Sequence, residues 1–176
     1  MILVILILLS PVHSFAGDKK TDAVKLLEIF EGLCLQNSEE FDNIEKILYD
    51  VPKKVALSPE VLAAGNPLLA GRGKGYAFKD DSQVFVISWV ENMSCGVTAD
   101  NVDIKKLKKL IKDNFRVETF DIASEGMQVS ESFLFKSNSN YKGGIMVLIY
   151  LKNKTNLKGA ALNFLPEREF KKVMKK

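Results

Sequence analysis

The chain has 176 residues, 25 Lys+Arg against 22 Asp+Glu, and a net charge of +3. Its composition is 47% hydrophobic and 27% charged, with two Cys and one His. These values exclude a disordered tail, a collagen-like fibre, a multi-span membrane protein and a Cys-dense mini-protein.

Residues 2–9 are eight consecutive apolar residues, ended by Pro11 and followed by Ser14-Phe15-Ala16. An apolar run closed by a small-x-small site reads as a signal peptide over 1–16, leaving 17–176 as one domain. The run is too short to span a bilayer of about 30 Å as a helix. No Lys or Arg precedes it, a departure from the usual pattern. Cleavage would remove His13, the chain's one histidine, and with it Ser-His-Asp, Cys-His and His-containing zinc chemistry. No cofactor or metal is expected.

The next residues alternate between helical and extended patterns. Thr21–Gln36 predicts an amphipathic helix with Leu26, Leu27, Phe30, Leu33 and Cys34 on its inner face. A second helix, capped by Asn37 or Ser38, would turn Phe41, Ile44, Ile47 and Leu48 inward. Ser58-Pro59 starts a short helix that Gly65 stops, and the glycines at 71, 73 and 75 predict a loop. Tyr76–Lys79 and Gln83–Glu91 predict a hairpin turning at 79–82, a better reading of Asp80-Asp81 than a calcium loop.

Asp100 or Thr98 would cap a helix over 102–115. Strands follow at 117–122, 129–136, 144–151 and 157–165, then a short basic helix opened by Pro166-Glu167. The nearly unbroken apolar runs 84–90 and 144–151 predict strands covered on both faces. Together these elements predict an α+β fold, a mostly antiparallel sheet of five to six strands packed with N-terminal and mid-chain helices.

Cys34 and Cys95 allow one intramolecular pairing. In an oxidising compartment that bond would close a loop of about 60 residues, worth roughly 4 kcal/mol. The alternative is two buried thiols acting as small apolar groups. Ile104–Lys112 is a basic amphipathic helix, with Lys105, Lys106, Lys108, Lys109 and Lys112 expected to face outward. It suits an anionic lipid, glycan or acidic protein, or simply a solvated face. Arg72 and Lys74, in Gly71-Arg-Gly-Lys-Gly75, could contact an anion, but no strand precedes them and no Ser/Thr and helix follow, as a phosphate loop requires. Nucleic acid is a poor candidate at this net charge. Glu91, Glu118, Asp121, Glu125 and Glu131 could serve a carboxylate hydrolase, though their spacing singles out no pair.

Phe30-x-x-x-Cys34-Leu35, Val86-x-x-Trp89, Ser94-Cys95-Gly96-Val97 and Leu162-Asn163-Phe164 together resemble a group of small exported bacterial proteins and lipoproteins of no assigned activity. The resemblance implies a periplasmic location and a disulfide, and no catalytic residue. The chain lacks the lipoprotein members' lipobox Cys. The expectation is an exported, non-enzymatic binding domain. Its partner would be an envelope protein, as for an immunity-type inhibitor or accessory factor, or an anionic envelope surface.

Overall fold

The computed structural model describes residues 22–65, 69, 71–80, 83–152 and 159–174; the expected signal segment lies outside them. The strands are β1 (Val55–Ala56), β2 (Gly73–Asp80), β3 (Gln83–Val90), β4 (Ser94–Asp100), β5 (Val117–Glu125), β6 (Gln128–Phe135), β7 (Gly144–Leu151) and β8 (Gly159–Pro166). They form one sheet in the order β1-β2-β3-β4-β8-β7-β6-β5, antiparallel throughout. The α+β class therefore holds, with eight strands instead of five to six.

The additional strands are β1 and β4. In β4 the residues Cys95, Val97 and Ala99 alternate inward, although Ser94 and Gly96 resemble turn chemistry. Gly73 and Gly75, expected in a loop, belong to β2 and pair with Val90 and Ser88. Their missing side chains leave room for Leu69 and Leu62. Gly71 alone of these three keeps a turn conformation, with φ of 69°.

The helices are α1 (Ala23–Phe30), α2 (Asn43–Leu48), α3 (Pro59–Gly65), α4 (Ile104–Asn114) and α5 (Glu167–Met174). The Asp22 carboxylate caps α1 by accepting from Val24 N at 2.9 Å. The expected long first helix ends in a π-helical turn, Glu31–Leu35. Asn37 does not cap the second helix; its amide donates to the Gly32 and Leu33 carbonyls at 3.0 Å, closing that turn instead. Ile47 is 47% exposed, so only Ile44 and Leu48 of α2 reach the core. Asp103, not Asp100 or Thr98, caps α4 through Lys106 N at 3.1 Å.

Strand register assigns each residue a face. Phe85, Ile87 and Trp89 of β3 share a face with Cys95, Val97 and Ala99 of β4, and with Ala160, Leu162 and Phe164 of β8. That face packs with Leu26, Phe30, Cys34, Phe41, Ile44, Leu107 and Ile111 to form the main core. The second face has a smaller cover, in which Leu62 of α3 and Leu69 pack on Val90. Val84 on this face is 38% exposed, and Val86 and Ser88 are half-buried. The apolar run of β3 is thus fully covered on one face only, because its second face is rich in small neighbours such as Gly75, Ala77, Gly96 and Thr98.

Candidate functional site

The sheet joins two runs of antiparallel strands, β1–β4 and β5–β8, along the β4–β8 pairing. Cys95 lies on that seam opposite Phe164. Its sulfur is bonded to Cys34 of the π-helical turn, with Cα atoms 5.4 Å apart at a sequence separation of 61. The disulfide fastens the helix layer to the line where the two halves meet. Both cysteines are buried, which leaves no reactive thiol among the described residues.

The basic helix divides in two. Lys108, expected outward, is drawn inward. Its ammonium lies 2.5 Å from Glu131 Oε2, donates to Tyr150 Oη at 2.8 Å and sits 4.5 Å from that ring's centre. Glu131 is only 4% exposed. It occupies an inward position of β6, in phase with the buried Val129, Phe133 and Phe135. Burial lowers the Lys108 pKa, but the contacts with Glu131 and Tyr150 outweigh it and hold the ammonium above its ordinary range. A lysine so held stays protonated and is not poised as nucleophile or base.

Lys105, Lys109 and Lys112 stay exposed, at i, i+4 and i+7 of α4. Among the described residues none of the three has a carboxylate within ion-pair distance. Lys106 stands beside Asp22 at 3.4 Å.

Lys74 is also engaged. It meets Glu45 at 2.7 Å and Asp42 at 3.5 Å, within a cluster where Tyr76 donates to Glu45 and Trp89 Nε1 to Asp42. The hydrogen bond to Glu45 raises the Lys74 pKa against some desolvation, and the same bond lowers that of Glu45. Two carboxylates already balance the Lys74 charge, so the expected pair with Arg72 is not assembled as an anion cradle. Arg72 is exposed.

The candidate carboxylates do not converge. Glu131 faces the helix layer, whereas Glu118, Asp121 and Glu125 lie on the second face of β5. Among the described residues no group of three His, Cys, Asp or Glu could hold a metal ion. No helix among them is long and apolar enough to cross a membrane. Comparisons with protein-family models, curated proteins and solved structures return no match to this chain.

Two features were missed in the sequence. One is the Lys108–Glu131–Tyr150 cluster, whose signal was a charged residue in phase with an apolar alternation. The other is the β5 end of the sheet, where Phe120 and Ile122 are 55% and 62% exposed and Met127 is 52% exposed. Exposed apolar residues at a sheet edge can mark a binding surface.

Proposed function

We propose that the chain is an exported, non-enzymatic domain that binds a protein partner in the cell envelope. The observation that carries this reading is the β5 end of the sheet, where Phe120, Ile122 and Met127 are exposed, on a fold whose helix layer is held by a disulfide. The disulfide suits an oxidising compartment. The test is chemical cross-linking of the full chain in intact producing cells, followed by purification. One recurrent envelope protein joined in fixed ratio is the expected result; adducts in no fixed ratio, or none, overturn the reading.

A second reading, binding to an anionic envelope lipid or glycan, is favoured by the free stripe Lys105, Lys109 and Lys112. Vesicles of phosphatidylglycerol should bind the chain in low salt and release it in high salt. Replacing the three lysines with Gln should abolish that binding; binding unchanged by the replacement removes this reading.

A further inference from the structure

Among the described residues β5 is the longest strand and ends the sheet, and one side of its backbone has no strand partner there. Unpaired edges invite another strand, and proteins usually guard them with charge, bulges or proline. β5 has a bulge between Thr119 and Asp121 and three carboxylates, Glu118, Asp121 and Glu125, with no cation among its nine residues. Yet it leaves Phe120 and Ile122 exposed.

The charges decide which strand can be added. Glu118, Asp121 and Glu125 share the second face of the sheet, in register with Leu134, Ser132 and Gln128 of β6. Lys136 neutralises Glu118 at 3.2 Å. Among the described residues Asp121 and Glu125 have no cation within ion-pair distance. A second copy of β5 laid antiparallel would set carboxylates against carboxylates, which is destabilising. A basic strand meets them favourably. On the opposite face β5 presents Thr119, Ile122 and Ser124, a surface that suits an apolar neighbour.

The geometry points to β5 as a docking edge for an extended partner segment that alternates basic and apolar residues, added as a ninth strand. The inference rests on the protein-binding reading above and names the partner's chemistry. Main-chain hydrogen bonds would supply affinity, and the alternating side chains specificity.

The test uses the full chain with the labelled peptide Lys-Val-Lys-Ile-Lys-Val-Lys, read by fluorescence anisotropy and amide hydrogen exchange. The peptide should bind and protect β5 amides. The same peptide with Pro for Ile should fail. In the Asp121→Lys, Glu125→Lys double variant binding should weaken by about tenfold, and the Glu-for-Lys peptide should become the better ligand. Glu125→Lys alone, at the exposed strand end, keeps the test valid if the double variant misfolds; it should weaken binding in the same direction. Equal binding by the variants, equal binding of the proline peptide, absent β5 protection, or β5 protection from self-association alone each overturns the inference. If an envelope protein is cross-linked equally by wild type and double variant, the edge inference falls and the protein-binding reading stands. If no partner is cross-linked at all, the protein-binding reading falls.

Discussion

The Lys108 ammonium of α4 lies 2.5 Å from the Glu131 carboxylate of β6, and Glu131 has almost no exposure to water. The contact is an ion pair at poor hydrogen-bonding angles, since Glu131 Oε2 has no aligned donor. Removing one partner of a buried pair strands the other. Lys108→Met should therefore cost about 3 kcal/mol in urea unfolding. Glu131→Leu should cost less, because Lys108 is 30% exposed and can turn to solvent. The double variant should recover most of the Lys108→Met loss.

Alkaline pH should weaken the fold where Tyr141 and Lys108 hold their protons. Tyr141 donates to Glu31 and so ties the segment before β7 to the π-helical turn. Burial, then the bond to Glu31, pushes its pKa from 10.0 up to about 12. A group with a raised folded pKa stabilises fully below its unfolded pKa and loses that stability as pH climbs through the folded one. The Tyr141 contribution is thus present below pH 10 and lost by about pH 12. Lys108 acts in the same direction, above its ordinary value of 10.5. Urea midpoints measured from neutral pH upward should fall over this window, and Tyr141→Phe should flatten the fall.

The Cys34–Cys95 bond closes a loop with a sequence separation of 61. In the chain-entropy treatment such a loop is worth roughly 4 kcal/mol. Reductant, or Cys34→Ala with Cys95→Ala, should lower the unfolding free energy by that order. The helix layer should lose amide protection before the β5–β6 hairpin does, because the bond lies at the β4–β8 seam.

Two sheet glycines should respond unequally to alanine. A Cβ on Gly96 would collide with the Asn163 side-chain amide, which can turn aside. A Cβ on Gly144 would meet the Leu165 carbonyl and the Phe164 ring, neither of which can move freely. Gly96→Ala should cost about 1 kcal/mol and Gly144→Ala about 3 kcal/mol. Asn163→Ala should recover part of the Gly96→Ala loss in thermal unfolding, the Leu162 carbonyl remaining close, and none of the Gly144→Ala loss.

The strands and helices with strong periodicity were legible in the sequence. Val84–Val90 and Gly144–Leu151 read correctly as strands and Ile104–Lys112 as a helix. β4 did not, because Ser94 and Gly96 carry turn chemistry while its pairing with β8, Cys95 opposite Phe164, is non-local. β1 is two residues long and takes its conformation from β2. Helical spacing put Lys108 on the outer face with its neighbours. Glu131 of β6 and Tyr150 of β7, distant from α4 in sequence, draw it inward. The exposure of Phe120 and Ile122 was equally hidden, since it depends on β5 being last in the sheet order.

A non-reducing peptide map of the protein taken directly from fractionated producing cells, with free thiols alkylated at lysis, is the most direct check on the proposed setting. The account predicts a linked peptide pair containing Cys34 and Cys95, recovered from outside the cytosol. Recovery from the cytosol with both cysteines alkylated would contradict it.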